Sequence, residues 1–179
     1  KYYDCRISGL NKLFTEIPEW KGENLLEKKI LVYNEQGIGD SIQFSKYLLG
    51  LNEICKNIDF LVSKKTCGIF RNDKEGINIC SKEDIALSKY DYKIPLGSLL
   101  KFFYKNINKF HENLIKIDFT KTENYKKKID TSKINVGLVW SGFFYGPKEP
   151  YRSIPLSKLN KILTLDANFY CLQKDIRDS

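Results

Sequence analysis

The clearest chemical signal in this chain is the short turn Glu35-Gln36-Gly37-Ile38-Gly39-Asp40. Its two glycines let the backbone turn sharply and let a ligand approach the main chain closely. A helix starting at its far side offers unpaired N–H groups and the positive end of a dipole. The turn is not a dinucleotide fingerprint, because Ile42 stands where GxGxxG has its third glycine, and no Gly-Lys-Ser/Thr follows to make a Walker A loop. Asp40 would repel a phosphate set directly on the helix end. That favours a carboxylate that takes a proton or hydrogen bond from a hydroxyl. The same carboxylate at the same position also serves as a helix cap, and spacing alone supports both roles.

A second turn follows Trp140. Ser141-Gly142 leaves an apolar run, and Tyr151-Arg152-Ser153-Ile154-Pro155-Leu156 leads into a helical pattern. A guanidinium fork at Arg152 and a hydroxyl at Ser153, near a helix start, suit a diphosphate. An ordinary surface loop with Pro155 opening the helix fits the spacing equally well.

These turns need strands and helices to position them. Lys29-Ile30-Leu31-Val32-Tyr33 reads as a buried strand. From Asp40 the period changes: Phe44, Tyr47, Leu48, Leu51, Ile54 and Cys55 give one apolar helix face of about four turns. Strands are expected at Asp59–Ser63, Gly76–Cys80 and Tyr90–Pro95, with a short helical stretch around Thr66 to Phe70. Pro95 closes the last of these strands. Leu96 to Asn113 is helical in part, and Lys121 to Thr131 is a polar surface helix or linker. The pattern then restarts, with a strand at Ile134–Trp140, a helix at Leu156–Leu163 and a strand at Asn168–Leu172. Alternating strands and helices imply an α/β fold with a doubly wound parallel sheet. The expected boundaries are a lead-in over 1–28, a first domain over 29–120, a linker over 121–133 and the opening of a second α/β unit over 134–179.

The 179 residues are 42% hydrophobic and 13% aromatic, enough for a core and unlike a disordered chain. No apolar run is long enough to span a membrane. The net charge of +8 is spread along the chain, with its densest run at Lys126-Lys127-Lys128 in a polar stretch. A solvated face explains that run better than a nucleic-acid patch, so nucleic acid is not the expected partner. The five cysteines show no CxxC pair and His111 is the single histidine, so no metal is expected. Cys55, Cys80 and Cys171 lie in or beside apolar runs and read as reduced thiols acting as small hydrophobes. With no secretory leader in view, a cytoplasmic location is expected.

Taken together, these elements resemble the glycosyltransferase-like region of bacterial tetratricopeptide-repeat proteins, relatives of heptosyltransferase-type enzymes. The matching residues are Pro18-Glu19-Trp20-Lys21-Gly22, the turn Glu35 to Asp40, Gln43-Phe44-Ser45-Lys46-Tyr47, Val136-Gly137-Leu138-Val139-Trp140-Ser141-Gly142, Arg152-Ser153-Ile154-Pro155-Leu156 and Leu172-Gln173-Lys174, in family order. The resemblance implies two Rossmann-like domains facing across a cleft, the GT-B arrangement. Asp40 would be the general base for an acceptor hydroxyl, with Gln36, Gly37, Gly39 and Gln43 forming the substrate-side turn. Ser141, Gly142, Arg152 and Ser153 would face the diphosphate of a nucleotide-sugar, which is a substrate, so that no cofactor is implied. The partners would be a nucleotide-sugar and a glycan or protein acceptor. Lys46 stands where the family usually has arginine, and the family's histidine-bearing donor segment has no counterpart here. The expectation is therefore a truncated chain, incomplete or inactive in this form. The alternative is a non-catalytic binding module, a homo-oligomer through its open sheet edge.

Overall fold

A computed structural model describes residues 13–105, 114–142 and 153–173. The chain divides into two compact units, Lys1–Lys116 and Ile117–Ser179.

The first unit is built on four parallel strands, β1 (Ile30–Tyr33), β2 (Ile58–Leu61), β3 (Ile77–Cys80) and β4 (Tyr92–Pro95), in the order β3-β2-β1-β4. The register aligns Ile30 with both Ile58 and Tyr92, and Ile58 with Ile77. This α/β arrangement is compatible with a Rossmann-like fold. Every residue of β1 and β2 is buried, as a strand covered on both faces must be. On one face Ile30, Val32, Ile58, Phe60 and Ile94 pack against α1 (Ile38–Ser45), α2 (Tyr47–Ile54) and α3 (Leu100–Phe103) through Phe44, Leu48, Leu51 and Phe103. On the other face Leu31, Tyr33, Leu61 and Cys80 meet Ile17, Ile85, Leu87 and Tyr90. The crossover from β3 to β4 there carries two 3-10 turns, Lys82–Asp84 and Leu87–Lys89, in place of a helix.

The single long helix expected after the glycine turn is two helices of 8 residues each, separated at Lys46. Two buried serines explain the break. Ser41 Oγ donates to the Gly37 carbonyl at 3.2 Å and Ser45 Oγ to the Ile42 carbonyl at 2.9 Å, and such back-bonding bends helices. Ile54, placed on the apolar face by its spacing, is instead 50% exposed.

The segment before β1 belongs to this fold. Ile17, Trp20 and Leu25 are each at most 3% exposed. Glu19 forms a parallel bridge with Lys93, flanked by Trp20 N–H to the Lys93 carbonyl and Lys93 N–H to the Pro18 carbonyl, both 2.9 Å. Residues 18–20 thus cover the free edge of β4. Trp20 packs against Phe102 with ring centroids 4.4 Å apart and planes tilted by 36°, and Gly22, at φ +115, takes a backbone conformation that side chains resist. On the opposite edge, Asn72 Oδ1 accepts the Ile79 N–H at 3.0 Å.

The second unit begins with α4 (Phe119–Lys126), capped by Asp118 Oδ1 accepting the Lys121 N–H at 2.9 Å. It continues into β5 (Ile134–Leu138), a 3-10 turn at Leu156–Leu159, α5 (Asn160–Leu163) and β6 (Ala167–Cys171). β5 and β6 are parallel, with Ile134 opposite Ala167 and Leu138 opposite Cys171. Among the described residues of this unit none is buried. Cys171, expected to act as a buried hydrophobe, is exposed, while Cys55 and Cys80 are buried as expected. His111 and Cys5 lie outside the described residues.

Candidate functional site

Strand order reverses at β1. The chain leaves it toward β2 on one side, while β4 flanks it on the other. In open α/β sheets such a switch point at the carboxyl ends of the strands is where ligands bind. The loop Asn34–Gly37 leaves β1 at this place. Asn34 shapes it, with Nδ2 donating to the Gln36 carbonyl at 2.8 Å and Oδ1 accepting the Gln36 N–H at 3.3 Å. Glu35 Oε1 accepts the Gly97 N–H at 3.3 Å, joining this loop to the one after β4.

Gly37 is the N-cap of α1 and Asp40 stands three residues on, inside the first turn. Asp40 Oδ2 accepts the Gly37 N–H at 3.2 Å. This is one half of a capping box; glycine has no side chain to return the bond. The N-cap place expected for Asp40 is thus taken by Gly37, and Asp40 stands at the third helical position, where its carboxylate accepts the N–H of the capping residue. A single accepted bond leaves the carboxylate with further acceptor capacity, and Asp40 is half-buried. Helical spacing puts Gly39, Asp40 and Gln43 on one side of α1. Gly37 has an ordinary extended backbone (φ −74, ψ 173). A Cβ built on Gly39 would meet no heavy atom within 4 Å. Neither glycine answers a conformational or packing need in the described chain. What they provide is bare backbone beside the carboxylate.

In the second unit the loop after β5 is tied to the end of β6 by Gln173. Its Oε1 accepts the N–H groups of Trp140 and Ser141, both at 3.1 Å, and its Nε2 donates to the Ser141 carbonyl at 3.3 Å. Gly142 N–H donates to Ser153 Oγ at 3.4 Å, and Ile154 N–H to the Trp140 carbonyl at 2.9 Å. Ser141, Gly142 and Ser153 are thus brought together at the carboxyl end of β5. The main-chain N–H groups of residues 140–142 are all taken up internally, which leaves the hydroxyl of Ser141 as an available donor. Arg152 lies outside the described residues.

Two residues with positional importance carried no assignment from spacing alone: Glu35 and Gln173. Each is a polar residue just past the carboxyl end of a strand, and that position was the available signal. A third, Asp59, is a charge inside the apolar run of β2. Tyr90 Oη donates to its Oδ2 at 2.7 Å, Lys29 Nζ pairs with the same oxygen at 2.9 Å, and Asn78 Nδ2 donates to Oδ1 at 3.1 Å. Burial alone would raise the Asp59 carboxyl. The bonds from Tyr90, Lys29 and Asn78 together outweigh it and hold the carboxyl below its ordinary range. Burial, and then the bond to Asp59, push the Tyr90 phenol well up. This network supports the sheet and does not face the turn.

Among the described residues no group of three or more His, Cys, Asp or Glu is arranged to hold a metal ion. No described helix is long and apolar enough to cross a membrane. Comparison with known proteins returned no match to a family model, a curated protein or a solved structure.

Proposed function

We propose that the chain is a glycosyltransferase-like module of GT-B type, moving a sugar from a nucleotide-sugar to an acceptor hydroxyl. The observation that carries this reading is a half-buried carboxylate, Asp40, beside bare glycine backbone at the switch point of a parallel sheet. In the proposed reaction Asp40 takes the acceptor's proton. The resulting oxygen forms a bond to the anomeric carbon, and the bond from that carbon to the diphosphate breaks. Ser141, Gly142, Arg152 and Ser153 are the donor-side residues in this reading, with the Arg152 guanidinium stabilising the departing diphosphate. Gln36 and Gln43 are the acceptor-side polar groups.

Calorimetry with a panel of nucleoside diphosphates and nucleotide-sugars, paired with an assay for released diphosphate, tests the reading. Binding to at least one donor is expected, and where transfer is measurable Asp40→Asn should lower it by about 100-fold or more at unchanged donor affinity. No binding to any donor, or an indifferent Asp40→Asn, removes it.

A second reading, a non-catalytic module that self-associates, is supported by the second unit. Ile134, Val139, Leu165 and Leu172 are each at least 62% exposed there, and β5 and β6 pair only with each other among the described residues. Light scattering decides it: a monomer at all concentrations would exclude self-association.

A further inference from the structure

Lys93 is 8% exposed, on the face of β4 away from the helices, and it holds the segment before β1 by four bonds. Its main chain exchanges hydrogen bonds with Pro18 and Trp20. Its ammonium donates to the Leu13 carbonyl at 2.6 Å and also to the Phe14 carbonyl. Burying an ammonium is unfavourable unless it is well bonded. Here the bonds go to carbonyls of an irregular segment outside any strand or helix ladder. Phe14, whose carbonyl is so held, has φ +58, a left-handed conformation that a bulky residue adopts only when its surroundings impose it. Its ring meets Tyr33 edge-on, with centroids 5.4 Å apart and planes at 74°. Tyr33 is the last residue of β1, and Asn34, which shapes the glycine turn, follows it directly.

We propose that residues 13–20 are a strap, latched by Lys93, whose docking holds the turn Asn34–Asp40 in place. With the strap docked, Phe14 presses on Tyr33 and the turn is held. With the strap released, Phe14 leaves its imposed conformation, Tyr33 loses its neighbour and the turn loosens. The coupling holds whether or not Asp40 is catalytic.

Hydrogen exchange on the full chain tests it, using Lys93→Met, which keeps length and removes the ammonium, and Phe14→Leu, which keeps the latch and removes the ring contact. In Lys93→Met the amides of Ile17, Trp20 and position 93 are expected to exchange at least about 10-fold faster, a change of about 1.4 kcal/mol in local opening. The amides of Gln36 and Gly37 should speed up with them, while those of Ile58 and Val62 stay as they were. In Phe14→Leu only the turn should loosen. A turn that stays unchanged in Phe14→Leu overturns the coupling, including the case where Lys93→Met fails to fold. A strap that stays protected in a folded Lys93→Met overturns the latch.

Discussion

Glu35 and Gly97 are joined across the switch point of the sheet by a 3.3 Å hydrogen bond from the glycine N–H to Oε1 of the carboxylate. Gly97 is itself buried, so its N–H has no ready replacement by water. Glu35→Ala is expected to cost about 1–3 kcal/mol, the scale for a buried donor left unpaired. Glu35→Gln keeps an acceptor oxygen and should cost less. Urea melts of the two variants check the order.

Asp40 has two roles that substitution can separate. Asparagine keeps an oxygen to accept the Gly37 N–H and loses only the charge in the first turn, so Asp40→Asn should stay within about 1 kcal/mol of the parent stability, while Asp40→Ala also loses the hydrogen bond, worth about 0.5–1.5 kcal/mol. If Asp40→Asn keeps its melting temperature and loses transfer, the carboxylate's charge is chemical and not structural. Thermal melts run beside the transfer assay give the answer.

The Asp59 network predicts a direction in acid. A carboxyl held below its ordinary value favours the folded state above that value. Its contribution is whole near neutrality and is lost as the pH falls below 3.8 toward the lowered folded value. Tyr90→Phe removes one of the bonds that lower it, so acid unfolding followed by circular dichroism should move to higher pH. The same variant should lose about 1.5–3 kcal/mol at pH 7, the scale for a hydrogen bond to a charged group.

The cysteines should separate by reactivity. Burial first, and then the nearby Asp59 and Asp84, push the Cys80 thiol up to about 12, and burial raises Cys55 as well. Among the described cysteines, alkylation with iodoacetamide at pH 8, read by mass spectrometry, should label exposed Cys171 first and half-buried Cys67 more slowly. Cys55 and Cys80 should react only after denaturation.

Gln173→Ala frees two main-chain N–H groups and one carbonyl at the end of β5. Faster exchange at Trp140 and Ser141 is expected, with little change at Ile58 or Ile77 in the first unit. Peptide-resolved mass spectrometry is sufficient to see it.

Much of the first unit was legible because its strands are short apolar runs between turn residues. Lys29 to Tyr33 ends at Asn34 and two glycines, and the sheet needs no other punctuation there. The break at Lys46 was not legible, because it comes from Ser41 and Ser45 bonding to carbonyls, and an apolar period carries no record of that. The role of residues 13–28 was hidden for a different reason. Ile17, Trp20 and Leu25 follow neither a helical nor a strand period, and their placement depends on Lys93, far along the chain. For the site, the change of period placed Asp40 just ahead of the helix, whereas the helix starts at Ile38 with Gly37 as its cap, because the apolar period does not register the polar first turn. The three-bond clasp of Gln173 on Trp140 and Ser141 is a contact between distant segments, and spacing does not encode it.

The two sheets differ in how their borders are finished. In the first, residues 18–20 lie along β4 and Asn72 occupies an amide on β3, so few backbone groups remain to recruit a foreign strand. The second has no such guards on β5 or β6 among the described residues, and its apolar side chains are already in contact with water. In concentrated solution, aggregation should therefore nucleate at β5 and β6 while the first unit is still native. A charged substitution at an exposed apolar residue just past β5, such as Val139→Lys, should extend solubility without moving the melting of the first unit.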